Sequence, residues 1–327
     1  MRFIPFICSI ISFLLVYYLT PWLIKYLRKI NITVKDQNKK GKPLVPISGG
    51  LAVLGGLLAG LMTYVFIQTF YYNRPESALY IFAGLTTIAI LTMVGFIDDL
   101  LIDNSKKSSS GLKQWQKPLL TLAAAIPLMV VGAGTTTMAV PFLGKINFGL
   151  IYPLILIPIG VVGAANMVNM LAGFNGLETG LGLVYTGMLG LYAYVNQSYI
   201  GALFALITFA SLLAFYTYNK TPAKILPGDS LTYLLGGSLA CIAILGNLEK
   251  AAIICSIPFF IEFILKSKTK FKAHSFGKYK NGKIISLYQK VYSLPHIFTR
   301  TGKYTEKQIV YYLLLIELLF SSLIWVI

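Results

Sequence analysis

Charged residues are scarce in this chain, and acidic ones are the scarcest. Of its 327 residues 12% are charged, with 11 Asp and Glu against 28 Lys and Arg. Histidine occurs twice and cysteine three times, and Cys8, Cys241 and Cys255 lie in apolar runs with no paired spacing. That pattern excludes a disulfide framework and a Cys/His zinc site. The sequence also lacks a Gly-Lys-Ser/Thr phosphate loop and a dinucleotide-binding glycine fingerprint, which excludes the common soluble nucleotide-binding folds.

Apolar residues, by contrast, make up 56% of the chain, and its mean hydropathy is +0.72. Both values lie outside the range of soluble globular proteins and predict an integral membrane protein. The net charge of +17 does not indicate a nucleic-acid partner, because too little polar surface remains to bind one. No small-residue cleavage site follows the first apolar run, and Lys25, Arg28 and Lys29 come next, so we expect a retained first span.

The apolar residues fall into ten segments of roughly bilayer-spanning length. They cover about 3–24, 48–70, 79–98, 117–133, 148–166, 181–196, 199–218, 230–247, 251–266 and 309–327. The glycines between Gly49 and Gly56 predict close helix packing in the second segment. No tandem repeat or low-complexity linker divides the chain. The sequence therefore predicts one all-α polytopic membrane domain, residues 1–327, with about ten transmembrane helices.

Positive charge is distributed unequally between the connections of these segments. The connections after segments one, three, five, seven and nine carry 7, 4, 0, 2 and 11 Lys and Arg, which is 24 of the 28. This excess predicts that these connections are cytoplasmic and that both termini face outward. Basic loops that only bind anionic lipid would give the same pattern. All five aspartates belong to the same side, which topology does not explain: Asp36, Asp98, Asp99, Asp103 and Asp229.

Two adjacent carboxylates, Asp98 and Asp99, end the third segment in the run Gly95-Phe-Ile-Asp-Asp. Neighbouring carboxylates repel each other and resist desolvation, so a divalent cation or a shared proton would stabilise them. Mg²⁺ prefers carboxylate and amide oxygens together with substrate phosphates, which suits a nucleotide-diphosphate site. A hydrated pair that caps a helix at the membrane surface is the alternative.

A polar cluster lies between residues 166 and 180. Asn166 and Asn169 are three apart and share a helix face, and Asn175 and Glu178 repeat that spacing. Amide oxygens can bind a metal ion, and amide NH₂ groups can donate to a phosphate or to the edge of a uracil. Amide bonding between packed helices is the alternative. The convergence of four such groups in one short loop favours a ligand site.

Two further residues open later segments. Asp229, in the run Pro227-Gly-Asp-Ser, begins the eighth segment and by itself is typical of a helix N-cap. Lys117 begins the fourth, where a lone lysine usually serves topology. Asp229 is the only acid on its loop and shares the face of the other aspartates, which makes it a candidate for the same site.

The ninth connection, at about 267–308, is the only long polar one and contains both histidines. A cationic cluster of His296, Arg300 and Lys303 could bind a pyrophosphate. On charge alone, a basic loop that lies on lipid headgroups is favoured.

Together the motifs resemble the polyprenyl-phosphate N-acetylhexosamine-1-phosphate transferases of glycosyltransferase family 4. Gly41-Lys-Pro-Leu-Val-Pro-Ile-Ser-Gly-Gly50 is similar to that family's first cytoplasmic loop. Bacterial members typically carry aspartates in the stretch that here reads Leu-Ala-Gly-Phe-Asn-Gly-Leu-Glu. The chain therefore looks like the eukaryotic and archaeal branch, which makes dolichyl-diphosphate N-acetylglucosamine from UDP-N-acetylglucosamine.

The resemblance implies a role for each candidate residue. Asp98 and Asp99 match the paired catalytic aspartates, Lys117 a lysine that contacts substrate phosphate, and His296 a histidine of the last cytoplasmic loop. Asn169 and Asp229 match the Mg²⁺ ligands, with Mn²⁺ as the alternative metal. The candidate substrate contacts are Asn166, Asn175 and Glu178, to which the cationic loop adds Arg300 and Lys303.

The function implied is a Mg²⁺-dependent phosphotransferase at the cytoplasmic ends of the helices. Its partners would be a UDP-N-acetylhexosamine, dolichyl or another polyprenyl phosphate, and membrane lipid; a homodimer is left open. The short chain and compact last loop favour an archaeal plasma membrane over the endoplasmic reticulum. Two alternatives remain: a transporter or flippase of nucleotide- or lipid-linked sugars, and a bacterial-type transferase that acts on undecaprenyl phosphate.

Overall fold

The computed structural model describes residues 3–102, 111–140 and 144–326. Asp103, one of the five aspartates assigned to the cytoplasmic side, lies outside the described residues. The helices of the described part are α1 Ile4–Lys29, α2 Gly50–Phe66, α3 Ala78–Leu100, α4 Gln116–Leu122, α5 Ile126–Val130, α6 Ile157–Met170, α7 Leu177–Val195, α8 Tyr199–Asn219, α9 Gly228–Gly246, α10 Glu249–Cys255, α11 Ile257–Ser267, α12 Pro295–Thr299 and α13 Glu306–Ser322.

Short irregular turns and three antiparallel hairpins complete the described chain. A wide helical turn, Ile67–Tyr71, prolongs α2, and another, Tyr152–Leu156, precedes α6; tight turns follow α4 at Ala123–Ala125 and α13 at Leu323–Val326. The hairpins pair β1 Thr33–Lys35 with β2 Leu44–Pro46, β3 Thr137–Val140 with β4 Gly144–Asn147, and β5 Lys278–Lys280 with β6 Lys283–Ile285. In the first hairpin Thr33 lies opposite Pro46.

Seven helical segments of the described chain are long and apolar enough to cross a membrane. They are Ile4–Lys29, Gly50–Tyr71, Ala78–Leu100, Tyr152–Met170, Tyr199–Asn219, Gly228–Gly246 and Glu306–Val326. This confirms the mostly helical, membrane-spanning architecture predicted from the sequence. The other three predicted segments are helical but shorter, divided or less apolar: Gln116–Val130 is short, α7 contains Glu178 and several glycines, and α10 is separated from α11 at Ser256. The count of ten spans therefore stays a prediction.

The central helix of the bundle is α9. Of its most apolar stretch 89% is buried, against 22 to 56% for the other six candidate spans. Glycines permit this enclosure, since a Cβ at Gly236 would overlap the backbone of Ala164 and Ala165 in α6, and one at Gly237 would lie 2.6 Å from the Leu91 side chain in α3. Because α3 and α6 pack so closely on α9, their ends lie beside its N-terminus.

The predicted close packing of the second span is confirmed. A Cβ at Gly56 of α2 would overlap the Val16 side chain of α1, and one at Gly60 would lie 2.7 Å from the Ile207 side chain of α8. The three cysteines are free and buried, in agreement with their interpretation as small apolar side chains.

Backbone hydrogen bonds fix the first hairpin beside the start of α9. The Leu226 N–H donates to the Pro46 carbonyl at 2.8 Å, and the Gly49 N–H donates to the Leu226 carbonyl at 3.1 Å. The loop that precedes α2 and the loop that precedes α9 are thereby held side by side. This contact brings the residues of the Gly41–Gly50 stretch to the place where the predicted site residues converge.

Candidate active site

Four predicted residues meet where helices end or begin. Asp98 belongs to the last turn of α3, Asn169 to the last turn of α6, Lys117 to the start of α4 and Asp229 to the start of α9. The Lys117 ammonium forms ion pairs with both carboxylates, at 2.8 Å from Oδ2 of Asp229. The Asn169 amide donates through Nδ2 to the same oxygen at 3.0 Å. Residues predicted separately from three motifs thus form one connected cluster.

This cluster contains two carboxyl groups and one lysine ammonium. The side chains of Asp98 and Lys117 are 4% and 23% exposed, and that of Asp229 is 28% exposed. Two carboxylates therefore share one ammonium in a largely enclosed position. A second cation placed between them would gain strong electrostatic attraction, because little water is present to screen the charges.

Asp99 contacts different groups from its neighbour Asp98. Its Oδ1 accepts from the Asp229 N–H at 2.7 Å, and its Oδ2 accepts from the Ser48 hydroxyl at 2.9 Å and from the Ser230 N–H at 3.2 Å. Gly228 has φ +71°, and a Cβ there would overlap the Asp99 carboxylate. Asp99 therefore supplies the capping carboxylate for the N-terminus of α9, where negative charge is stabilising.

The two asparagine side chains of α6, Asn166 and Asn169, have different hydrogen-bond partners. Thr232 donates to Oδ1 of Asn169 at 2.8 Å, so the Asn169 amide bonds to two residues of α9, Thr232 and Asp229. Asn166 donates to the Thr121 hydroxyl at 3.1 Å and to the Val162 carbonyl at 2.8 Å. These bonds hold the Asn166 amide near the segment after Lys117, as the interhelical alternative predicts. Its assignment as a substrate contact stays a prediction.

Asn175 lies in the loop between α6 and α7, and Glu178 lies in the first turn of α7. The Gly173 N–H donates to Oε1 of Glu178 at 2.7 Å, while Oε2 of this buried side chain has no hydrogen-bond partner in the described part of the chain. Asn175 donates from its side chain to Asp36 at 3.0 Å and from its backbone to Glu306 at 3.0 Å. Asn175 is thus fixed by neighbours, whereas Glu178 keeps an acceptor free.

A cavity of about 190 Å³ lies between the first hairpin, the loop from α6 to α7 and the loop that precedes α9. The residues that line it include Asp36, Asn175, Glu178, Asp229, Thr232 and Phe276. The Phe276 ring belongs to the long polar segment and stacks on His274, with ring centres 4.8 Å apart.

A larger hollow of about 580 Å³ lies at the opposite ends of α7, α8 and α9, lined by Tyr192 and by residues 196–200 and 245–248. That lining includes none of the predicted site residues.

His296 is fully buried, and both its ring nitrogens are occupied by backbone groups. Nδ1 accepts from the Tyr292 N–H at 3.2 Å, and Nε2 lies 2.9 Å from the His274 carbonyl, to which it donates. Burial lowers the pKa of His296 from its usual 6.5, and the nearby cations Lys266 and Arg300 lower it further. The ring is therefore neutral near pH 7. This geometry favours a structural role for His296 in place of the predicted cationic one.

Arg300 and Lys303 lie on the exposed side of the same segment, after α12. Their positions leave both side chains accessible, whereas His296 is directed into the protein. The structure therefore does not bring the three residues together as one cationic cluster. Their contacts with substrate stay a prediction.

The residues present fit a magnesium ion. Asp98, Asp229 and Asn169 offer carboxylate and amide oxygens, the donors that Mg²⁺ prefers, around a place now held by the Lys117 ammonium. Rotation of the Asn169 amide by half a turn would present its oxygen to the same place. No group of three or more His, Cys, Asp and Glu side chains is arranged for metal binding in the described residues, so amide, water or substrate oxygens would complete the shell.

Sequence reasoning missed several residues of this site. Ser48 and Thr232 hold Asp99 and Asn169, and Asp36 holds Asn175. Asp36 was marked only by its side of the membrane, and Ser48 only by lying in the Gly41–Gly50 stretch. Hydroxyl and carboxylate groups that act through a second residue leave little signal in a single sequence, since their partners are distant in the chain.

Comparison with known proteins identifies the family. Residues 79–247 match the profile of glycosyl transferase family 4, and this range includes Asp98, Lys117, Asn169 and Asp229. A protein of Saccharolobus solfataricus is 34% identical over 95% of this chain and 93% of its own length. It carries the provisional name UDP-N-acetylglucosamine–dolichyl-phosphate N-acetylglucosaminephosphotransferase. The family resemblance stated from the sequence is confirmed.

Two more distant relatives represent the two branches of the family. The UDP-N-acetylglucosamine–dolichyl-phosphate N-acetylglucosaminephosphotransferase of Dictyostelium discoideum is 27% identical over 93% of this chain and 83% of its own length. The phospho-N-acetylmuramoyl-pentapeptide-transferase of Lactiplantibacillus plantarum is 32% identical over 77% of this chain and 78% of its own length. The matches named for dolichyl phosphate therefore extend over more of this chain than the bacterial one does.

Proposed function

The chain belongs to glycosyl transferase family 4, and on this premise we propose that it is a UDP-N-acetylglucosamine:polyprenyl-phosphate N-acetylglucosamine-1-phosphate transferase. The donor would be UDP-N-acetylglucosamine and the acceptor dolichyl phosphate or a related polyprenyl phosphate. The products would be UMP and a lipid-diphosphate sugar, the first intermediate of lipid-linked oligosaccharide assembly. The observation that carries the proposal is the Asp98–Lys117–Asp229 cluster with Asn169 at its side, next to a cavity lined by Glu178, whose buried Oε2 has no hydrogen-bond partner among the described residues.

The reaction is a single displacement at phosphorus. An oxygen of the acceptor phosphate forms a bond to the β-phosphorus of the donor, while the bond from that phosphorus to the bridging oxygen breaks. The bridging oxygen leaves with UMP. An in-line displacement of this kind requires positioning and charge stabilisation and needs no covalent enzyme intermediate. A double displacement through an aspartyl intermediate is the alternative.

The cluster supplies the charges this displacement needs. Lys117, which bridges Asp98 and Asp229, can shift its ammonium to the donor phosphates and stabilise the charge that develops there. Mg²⁺ or Mn²⁺, held by Asp229 and Asn169, would neutralise phosphate charge when bound. Asp98 would orient the acceptor phosphate and accept its proton, for which little driving force is needed because the second pKa of a phosphate monoester is about 6. Asp99 would keep Asp229 in place through its backbone bond.

The cavity would hold the uridine end of the donor. The imide N–H of uracil is a donor that matches the free Oε2 of Glu178. The Phe276 ring at the cavity wall offers a stacking surface for a planar base. Asn175, held by Asp36, adds a polar group to the same wall. Base and phosphates would thus bind to adjacent parts of one continuous site.

We further propose that the site faces the cytoplasm of a ten-span protein in an archaeal plasma membrane. The concentration of Lys and Arg in alternate connections supports this orientation, since cytoplasmic loops carry such an excess. Nucleotide sugars are made in the cytoplasm, so the donor would meet the site directly. The seven candidate spans and three shorter helical regions are compatible with ten crossings.

The position of the polar residues favours an enzyme over a transporter. Asp98 lies two residues before the end of α3, Asn169 one residue before the end of α6, and Asp229 second in α9. A transporter binds its substrate near the middle of the bilayer, where both sides can reach it. A bacterial-type transferase remains the second candidate, because the Lactiplantibacillus relative is 32% identical over 77% of the chain.

UMP release by the purified protein tests the proposal. The reaction would contain UDP-N-acetylglucosamine, dolichyl phosphate and Mg²⁺, with Asp229→Ala as the inactive variant and Asn196→Ala, at the far end of α7, as the matched control. We expect lipid-dependent UMP that EDTA abolishes. UMP formed only with a muramoyl-pentapeptide donor and undecaprenyl phosphate would favour the bacterial-type enzyme. No UMP with any donor, from folded protein, would contradict a transferase.

A further inference from the structure

A partly buried lysine outside the predicted site, Lys266, contacts the end of α6. The Lys266 ammonium donates to the Met170 carbonyl at 2.5 Å, and the lysine side chain is 12% exposed. Met170 is the last residue of α6 and directly follows Asn169, whose amide contacts Asp229. The sequence gives Lys266 no distinction, because it ends the ninth apolar segment directly before the ten Lys and Arg residues of 267–308.

The contact between Lys266 and Met170 stabilises the C-terminal end of α6. The last carbonyl groups of an α-helix have no partner within the helix and carry partial negative charge, so a cation placed there is stabilising. After Met170 the backbone leaves the helical conformation at Leu171, with φ −92° and ψ 74°. A charged donor at the Met170 carbonyl therefore fixes the position at which α6 ends, and with it the direction of the adjacent Asn169 side chain.

Glu262, one turn before Lys266 in α11, connects this contact to the polar segment. Its Oε1 accepts from the Ser293 hydroxyl at 2.6 Å, and its Oε2 accepts from the Leu294 N–H at 2.7 Å. The Lys266 ammonium lies 3.6 Å from Oε1 of this fully buried carboxylate. A continuous path of polar contacts thus runs from the residues before α12, through Glu262 and Lys266, to the end of α6.

We propose that Lys266 is a positioning residue for the metal-binding end of the site. Its ammonium holds the end of α6 so that Asn169 faces Asp229, and its pairing with Glu262 couples that geometry to the polar segment 267–308. The role rests on the proposed function, in which Asn169 and Asp229 bind the divalent cation. Removal of the charge should weaken metal binding more than it weakens binding of the sugar nucleotide.

The test compares Lys266→Met with wild type and two further variants. Methionine keeps an unbranched apolar chain and removes the charge, Lys266→Arg keeps a cation, and Lys268→Met removes an exposed lysine two residues away. Binding of Mn²⁺ to the purified protein, with and without UDP-N-acetylglucosamine, is followed by the electron paramagnetic resonance signal of free Mn²⁺. The Mg²⁺ concentration for half-maximal UMP release and the KM for the donor are measured beside it.

We expect Lys266→Met to bind Mn²⁺ and to respond to Mg²⁺ about tenfold more weakly, as is typical when a residue that orients a metal ligand is lost. Lys266→Arg should recover most of this loss, Lys268→Met should equal wild type, and the donor KM at saturating metal should stay within twofold. Unchanged Mn²⁺ binding in folded Lys266→Met would overturn the proposal. So would a tenfold rise in donor KM with normal metal binding, since Lys266 would then act on the substrate.

Two further outcomes, misfolding of Lys266→Met and an inactive wild-type protein, are tested by separate measurements. If Lys266→Met does not fold, because Glu262 is left buried without its counter-charge, the double variant Glu262→Gln with Lys266→Met removes both charges and receives the same measurements. If the wild-type protein releases no UMP, the proposed function fails. The Mn²⁺ comparison then still decides whether Lys266 supports the metal site.

Discussion

Asp99→Asn should mainly lower the stability of the protein, whereas Asp98→Asn should mainly lower its activity. The two residues are nevertheless adjacent in the chain and almost equally buried, at 2% and 3% exposed. Asp99 accepts two backbone N–H groups of α9 and the Ser48 hydroxyl. An asparagine keeps one carbonyl oxygen, so in either rotamer its NH₂ group faces the N–H of Asp229 or of Ser230. Asp99→Asn therefore leaves at least one buried backbone donor without an acceptor.

The magnitude follows from these contacts. A lost hydrogen bond to a charged acceptor costs about 1.5 to 3 kcal/mol, and the lost attraction between a carboxylate and a helix N-terminus adds about 0.3 to 1 kcal/mol. Asp99→Asn should thus lower the free energy of unfolding by roughly 2 to 4 kcal/mol. In Asp98→Asn the amide oxygen can still accept from the Leu112 N–H, the one backbone donor that Asp98 contacts among the described residues. Relief of the repulsion between the two carboxylates that share Lys117 offsets the weaker ion pair, so stability should change by less than about 1 kcal/mol.

Thermal unfolding and turnover together separate the two effects. Cys8, Cys241 and Cys255 are free and buried, so a thiol-reactive fluorophore reports their exposure as the protein unfolds in detergent. UMP release well below the midpoint should fall about 100-fold or more in Asp98→Asn, as is typical for loss of an acid–base group. Asp99→Asn should keep activity within about tenfold of wild type.

Two results would refute this reasoning. If Asp99→Asn unfolds at the wild-type temperature and is as inactive as Asp98→Asn, Asp99 takes part in the chemistry and does not mainly cap α9. If Asp98→Asn is destabilised as much as Asp99→Asn, the division of the pair into one reacting and one supporting carboxylate is wrong.

Three further predictions address other parts of the site. Asn169→Ala should raise the Mg²⁺ concentration for half-maximal UMP release by about tenfold, with Asn196→Ala as control; an unchanged requirement would remove Asn169 from the metal site. Glu178→Gln should raise the KM for UDP-N-acetylglucosamine by about tenfold, because the free acceptor for an imide N–H loses its charge; a fall in kcat alone would place Glu178 nearer the phosphates. Since burial lowers the pKa of His296 below its usual 6.5, the unfolded chain binds more protons as pH falls, so stability present above pH 6.5 should be lost below it. His296→Gln, which keeps a donor toward the His274 carbonyl but does not titrate, should flatten this dependence in unfolding measured between pH 5.5 and 7.5; an equally steep profile would exclude His296 as its cause.

Much of the architecture was predictable from the sequence, because hydrocarbon imposes strict requirements on a chain that crosses it. Backbone polar groups must bond within the segment, so long apolar runs such as Ile4–Lys29 and Tyr199–Asn219 form helices whatever their neighbours are. The site was predictable in part, since the carboxylates and amides of Asp98, Asn169 and Asp229 are costly at the ends of such helices, and the family followed from the resemblance of the motifs that contain them. The divided region from Glu249 to Ser267 was harder, because the break at Ser256 is marked only by Pro258, and packed membrane helices tolerate an internal proline.

The role of each side chain depended on the tertiary structure. Adjacent residues on a helix point about 100° apart, so Asp98 faces Lys117 while Asp99 faces the backbone of α9, and no spacing rule assigns which is which. The neutral state of His296 follows from burial against the His274 carbonyl, and the importance of Lys266 follows from a contact with a residue 96 positions away. The sequence alone predicted seven of the helices that are long and apolar enough to cross a membrane, together with the polar groups at their ends. Only packing around α9 decided which of those groups meet, because charge and hydrogen bonding act between side chains that are close in space and distant in the chain.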